Sequence, residues 1–356
     1  MFKNLFFLIF IWILIPSQAI SQEIQEVVVL EKKLTSLSGW SNNQSISSID
    51  EKELKDLDAQ HPKQIFRRSP GIWISRGSGQ EHLTAIRSPV LTGPGACGSF
   101  LVLEDGIPVR PTGFCNVNGL FETFFEMASN IETIRGPASA RYGANAMHGV
   151  INILSKPINS ENMIYANLGP NNYKNFKIRA GNKQDWSFGG SFVNNDGFRD
   201  QSGYDQQKVK MQSNFSIASW NASMRATFTN LNQETAGYVN GLNSYKNESF
   251  SNQNFNPDAY RDAKSQRISL ILTKEINNSI NSITPYIRNN DMKFFQHFLP
   301  GTPLEENNHI SAGVIFQSIT NFKNFNFIRG LQVDLAKVEL TETQKNVLTN
   351  SSAFNN

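Results

Sequence analysis

The sequence is poor in the residues that catalysis and metal binding usually need. Of 356 residues, two are cysteine and five are histidine. The histidines (His61, His82, His148, His297, His309) stand without the close spacing of metal ligands, so neither a metal nor a cofactor is expected. No Ser-His-Asp or Cys-His arrangement is discernible, which argues against an enzyme. The formal net charge of +3 is too small a surplus to imply nucleic acid as a partner. Beyond the N-terminus no apolar run approaches the roughly 18 residues of a membrane-crossing helix. Strands of a membrane barrel escape that test, because they show lipid only at every second residue.

The N-terminus does carry such a run, a short one. Lys3 precedes apolar Leu5 to Ile15, and small residues follow at Ser17, Ala19 and Ser21. This is the pattern of a secretory signal peptide over residues 1–21, cleaved after Ala19 or Ser21. A membrane anchor would need a run nearly twice as long. Everything after residue 21 is therefore expected outside the cytoplasm.

The stretch that organises the chain runs from Asn130 to Pro157. Ile131 to Ile134 and Val150 to Leu154 read as short β-branched strands. Gly136-Pro137 stops the first of them, and Gly143 and Gly149 mark places where backbone passes close to backbone. Upstream, Asp50 with Glu53 opens a short helix through Leu57, and His61-Pro62 opens another that ends near Ser69-Pro70. Strands follow at Gly71 to Ser75 and Leu83 to Arg87. Phe100 to Glu104 and Ile107 to Val109 form a hairpin on an Asp105-Gly106 type I′ turn.

Together these segments resemble the plug domain of TonB-dependent outer-membrane receptors. The resemblance rests on Ile-Glu-Thr-Ile-Arg-Gly-Pro (131–137), Ala-Ser-Ala-Arg-Tyr-Gly (138–143), Gly-Val-Ile-Asn-Ile (149–153), the strands at 71–75 and 83–87, and the hairpin. Ser88 stands where the family has glycine. The run Glu26-Val27-Val28-Val29-Leu30, on a Ser/Thr/Asn-rich tether, resembles the TonB box. A valine run of this kind suits addition to another protein's sheet edge by main-chain hydrogen bonds. The resemblance implies that Arg87 and Arg135 face the barrel wall and pair with its glutamates. It also implies that the loops bearing Arg76, Ser78, Gln80, Glu81, His82, Thr92, Asn116 and Asn118 face the substrate.

From about residue 161 the texture changes to long alternating strands. Val209, Met211, Phe215 and Ile217 alternate with Lys208, Lys210, Gln212, Asn214 and Ser216. Ala222, Met224, Ala226 and Phe228 alternate with Ser223, Arg225, Thr227 and Thr229. Ile268, Leu270 and Leu272, and later Ile310, Ala312, Val314 and Phe316, repeat the pattern. In a soluble sandwich the apolar face would be the core; after a signal peptide and a plug it is expected to face lipid, with the polar face lining a lumen. Long loops are expected at 232–263 and at 289–308, the latter with Phe294, Phe295 and Phe298, and such loops face outward.

The expected fold is an α+β plug domain followed by antiparallel transmembrane β-barrel strands, with the barrel incomplete. The organisation is a signal peptide (1–21), TonB box and linker (22–45), plug (46–157) and the N-terminal part of the barrel (158–356). Large plugged transporters have about 22 strands, more than the segment after Pro157 accommodates, so the chain reads as a fragment or truncated product. A closed small barrel is the alternative, but its own side chains would fill it.

Two motifs fail on context. Gly93-Pro94-Gly95-Ala96-Cys97-Gly98 has the spacing of a dinucleotide fingerprint, but a strand rather than a helix follows it. Glu104-Asp105 is adjacent along a strand and its turn, and Asp105 is explained by the turn itself. Cys97 and Cys115 are expected to form a disulfide, since an exported chain meets an oxidising compartment and has only these two. The hairpin register sets Cys97 opposite Phe114, and a single bulge brings the sulfurs together.

The resemblance implies uptake of a scarce small-molecule ligand (siderophore, cobalamin, haem or similar) across the outer membrane, powered through TonB, with outer-membrane lipid around the barrel. The rivals are a structural or adhesive outer-membrane barrel, which leaves residues 26–30 unexplained, and a secreted enzyme, which lacks a catalytic constellation.

Overall fold

The structure is a computed structural model that describes residues 45–88, 100–115 and 118–344. The signal peptide, Glu26 to Leu30, Thr92, Cys97 and Asn116 lie outside the described residues.

The plug is built on a five-stranded sheet. Its strands are β1 (Ser45–Asp50), β4 (Phe100–Glu104), β5 (Ile107–Pro108), β6 (Ala128–Arg135) and β7 (Gly149–Ser155), in the order β1-β6-β7-β4-β5. A separate two-stranded ribbon pairs β2 (Ile72–Ile74) with β3 (Thr84–Ile86). Strand β4 lies parallel to β7, and all other pairs are antiparallel. Every residue of β4 is buried, as expected for a strand covered on both faces. One face packs Phe100, Val102, Ile131, Ile151 and Ile153 with Ile65 and Phe66; the other packs Leu101, Leu103, Ile134 and Val150 with Ala138 and Ala146.

The helices are α1 (Glu51–Leu57) and α2 (Pro62–Phe66), each capped as its sequence prescribes. Asp50 accepts from the Glu53 amide, and His61 with Gln64 closes a capping box with Pro62 in the first turn. A third, one-turn helix α3 (Ser139–Tyr142) and a 3-10 turn (Ala144–Ala146) occupy the connection between β6 and β7. At Gly149 a Cβ would press on the Ile134 carbonyl and lie 2.8 Å from Ile86 Cγ2. The hairpin turn is as expected: Asp105 and Gly106 both have positive φ, at 54° and 78°.

The remainder forms a nine-stranded antiparallel meander. It comprises β8 (Met163–Gly169), β9 (Tyr173–Gly181), β10 (Trp186–Asn195), β11 (Tyr204–Ile217), β12 (Trp220–Glu234), β13 (Tyr260–Ile276), β14 (Ser279–Phe295), β15 (Leu304–Asn321) and β16 (Asn326–Thr343). The sheet is open, with β8 and β16 at its edges among the described residues. Its burial is that of a membrane wall, inverted relative to a soluble sandwich. Ile268, Ile287, Ile310, Phe316, Leu331 and Leu335 are exposed on the outer face, while Lys208, Arg267, Arg288, Asn290 and His309 are buried on the inner one. Connections at one end are short, such as Asn277-Asn278 with both φ positive. Those at the other end are longer, at 196–203, 235–259 and 296–303. The last is shorter than the sequence suggests, because Phe294 and Phe295 belong to β14: cross-strand pairing to Glu305 and Leu304 continues the ladder through them.

Candidate functional site

The contact between plug and wall is where charge concentrates, and its polarity is carboxylate on the plug and cation on the wall. The β4–β5 turn places Glu104 and Asp105 against β11, β12 and β13. Arg267 Nη2 lies 2.6 Å from Glu104 Oε2, and Lys210 Nζ lies 3.4 Å from Glu104 Oε1 and 2.8 Å from Asp105 Oδ2. Arg225 Nη1 lies 2.7 Å from Asp105 Oδ1. The plug also holds these carboxylates from its own side, through the Phe124 amide to Glu104 and the Ser155 amide and hydroxyl to Asp105. Burial opposes ionisation of Glu104, but Lys210 and Arg267 outweigh it and hold its carboxyl at about 2.

The same polarity repeats around the plug. Lys208 Nζ lies 2.6 Å from Glu126 Oε1, donates to the Thr123 carbonyl at 2.8 Å, and sits over the Phe125 ring. Asp58, the left-handed C-cap of α1, takes Lys177 of β9 at 3.0 Å together with Tyr165 and Asn167 of β8. Glu81 takes Arg261 at 3.2 Å. Arg288 donates to the Pro108 carbonyl at 2.8 Å and is itself held by Asp334 of β16. Arg179 ties down the connection between plug and wall, donating to the carbonyls of Pro157, Ile158 and Ser160.

Sequence reasoning set Glu104 and Asp105 aside as a turn, and missed this contact. Asp105 is indeed a turn residue, but its left-handed backbone turns the carboxylate to the wall beside Glu104 instead of to the opposite face. A signal was present in the alternation. The inward positions of β11 to β14 carry Lys208, Lys210, Arg225, Arg261, Arg267 and Arg288, and the buried ones among them no carboxylate, so their counter-charges had to come from elsewhere.

Arg87 and Arg135 come together over Gly71, where a Cβ would lie 3.2 Å from Arg87 Nε and 3.6 Å from Arg135 Cδ. Arg87 is exposed, and Arg135 donates to the Pro70 carbonyl at 2.9 Å. Neither is ion-paired to a wall glutamate among the described residues. The loop from Arg76 to His82 is fastened to the wall: the Ser78 hydroxyl donates to the Ala236 carbonyl, and the Gln80 amide donates to Gln233 Oε1 at 2.6 Å. Arg76 is exposed, whereas Gln80, His82 and Asn118 are buried. His82 packs edge-on against His61 and Phe121. Burial pushes His82 down to about 3, with His61 adding to it, and pushes His61 down to about 4. Arg110, buried and paired with Glu122, also donates to the Cys115 carbonyl.

A small α+β domain ion-paired to the inner face of a lipid-facing antiparallel wall is the arrangement of a plugged outer-membrane receptor. Residues 40–150 match the TonB-dependent receptor plug domain family. The chain is similar to the ferric yersiniabactin uptake receptor FyuA of Yersinia pestis, at 16% identity and TM-score 0.66 over 85% of this chain and 50% of that one. It is similar also to the unliganded ferric citrate transporter FecA, at 15% identity and TM-score 0.68 over 85% and 48%. The ferric-catecholate import receptor Fiu of E. coli K12 aligns at 14% identity and TM-score 0.62 over 87% and 52%. The chain thus spans about half the length of the solved receptors it matches. Residues 40–150 are thus matched as a TonB-dependent receptor plug domain, and over the plug and nine strands of the wall the fold is that of these outer-membrane receptors.

Proposed function

We propose that the protein takes up a scarce small-molecule ligand, a metal chelate of the siderophore type, across the outer membrane under the drive of TonB. The observation that supports this most is the plug–wall contact itself. Buried ion pairs with additional hydrogen bonds keep a plug seated, yet charged pairs gain less over hydration than apolar contact would, so the seal is firm and separable. Ligand binds at the outward loops and plug apices; the segment Glu26 to Leu30 then pairs with a sheet edge of TonB in the periplasm, and force on it displaces the plug. Arg87 and Arg135, adjacent at the plug rim, are further candidates for carboxylates of the wall. The solved receptors similar in fold, which include importers of ferric chelates by name, support this ligand class.

The test is Val28→Pro in cells with an energised inner membrane. Proline removes the amide and the freedom to pair, so uptake of the cognate chelate is expected to cease while binding at the cell surface is unchanged; Val28→Ile is expected to transport normally. Uptake at the normal rate by the proline variant would reduce residues 26–30 to an ordinary linker and remove the TonB step.

A further inference from the structure

Lys210, Arg225 and Arg267 converge from three adjacent strands on one spot of the inner wall. Lys210, Thr227 and Arg267 stand in a single cross-strand row, and Arg225 is two residues along β12 from Thr227. Neighbouring strands are about 4.8 Å apart, which sets Lys210 and Arg267 roughly 10 Å apart at the backbone. Their side chains are nearly buried, and the ion pairs described for them run to the plug, to Glu104 and Asp105. The gap left between them is about 20 Å³, room for a single water. At rest the two plug carboxylates fill the spot.

When the hairpin withdraws, Lys210 and Arg267 lose these carboxylates and Arg225 loses Asp105, in a site built to be dry. Buried charge without a counter-charge is costly, so an anion that moved in would lower the barrier to opening. Guanidinium forks match carboxylates bidentately, the resident groups are themselves carboxylates, and two of them a few ångströms apart are already accommodated.

We propose that Lys210, Arg225 and Arg267 are a polycarboxylate-binding station on the barrel wall, occupied at rest by Glu104 and Asp105 and handed to the carboxylates of the permeating ligand when the plug moves. A neutral ligand gains nothing there, and a bare metal cation is repelled. The station rests on the transport reading only for the movement of the hairpin; binding to it requires no transport.

The experiment uses the full chain in detergent micelles and propane-1,2,3-tricarboxylate as the probe, with its neutral triamide as control. In Glu104→Gln/Asp105→Asn the resident charges are gone while the left-handed turn is kept, since asparagine tolerates that conformation. Calorimetry is expected to give at least tenfold tighter binding of the tricarboxylate than in the unaltered chain, no binding of the triamide, and loss of the gain when Arg267→Met is added. Binding no tighter than in the unaltered chain, or a gain that survives Arg267→Met, overturns the station. A second measurement covers a variant that does not fold. In the unaltered chain, the tricarboxylate at constant ionic strength is expected to raise amide exchange at residues 104–106 severalfold over sodium chloride, and equal exchange in the two salts overturns the station. Failure here leaves the Val28→Pro test, and with it the transport reading, untouched.

Discussion

Arg267 and Arg288 stand directly opposite one another on β13 and β14, on the inner face of the wall. Like charges in that relation repel, and neither has an oppositely charged neighbour on the other's strand. Glu104 of the plug holds Arg267 at 2.6 Å, and Asp334 of β16 holds Arg288 at 2.5 Å. A repulsion built into the wall is thus relieved in part by the plug, which makes plug seating and wall stability interdependent.

Removing one member of that contact leaves the other buried and unpaired. We expect Glu104→Gln to weaken plug docking by about 3–5 kcal/mol, with Arg267→Met similar. The double variant is expected to cost less than the sum by over ~1 kcal/mol, since the two act on one pair. Urea unfolding in micelles measures the cycle; strict additivity would mean that the pair does not couple plug to wall.

Acid acts in two stages. His61 and His82 are held at about 4 and about 3, below the ordinary 6.5, so the unfolded chain binds their protons first and stability declines as pH falls below 6.5. Glu104 is held at about 2, below its ordinary 4.5, so its contribution is present above 4.5 and is lost as pH falls towards 2. The urea midpoint is expected to drop between pH 7 and 5 in the unaltered chain and to drop less in His82→Phe, which keeps the edge contact with Phe121. An equal slope in the variant would remove His82 from the first stage.

Gly149 permits the closest approach inside the plug. Gly149→Ala sets a methyl against the Ile134 carbonyl and Ile86, and overpacking of this kind costs about 1–3 kcal/mol. The midpoint of plug unfolding is expected to fall accordingly. Gly113→Ala, where nothing lies within 4 Å but φ is +83°, separates backbone strain from crowding.

Much of the fold is legible in the sequence because local patterns dictate it. The N-cap at Asp50, the helix start at His61-Pro62, the Asp105-Gly106 turn and the alternation along β11, β12, β13 and β15 each need only a few neighbouring residues. The seal is less legible, because Asp105 and Lys210 are 105 residues apart, and nothing local to either announces the other. Even so, a row of inward cations with no inward acid on the same strands asks for a partner from another domain. The loop after β14 is shorter than its sequence suggests for a related reason: Phe294 and Phe295 look like loop aromatics locally, and only their pairing to β15 extends the strand through them.

Cys97 and Cys115 are proposed to be disulfide-bonded in the exported protein. Thiol labelling of the unreduced, denatured chain is expected to find no free cysteine, and two after reduction. Two labelled thiols before reduction would end the proposal.

In the proposed mechanism transport depends on movement of the plug away from the wall, and a cysteine at Ser269, buried beside Arg267 on the inner face and lining the gap at the seal, reports it directly. In living cells we expect Ser269→Cys to resist a membrane-impermeant maleimide at rest and to be labelled when ligand and an energised inner membrane are both present. Adding Val28→Pro is expected to abolish that labelling. Labelling at the resting rate under energised transport, or undiminished labelling with Val28→Pro, would contradict a plug that TonB draws off the wall.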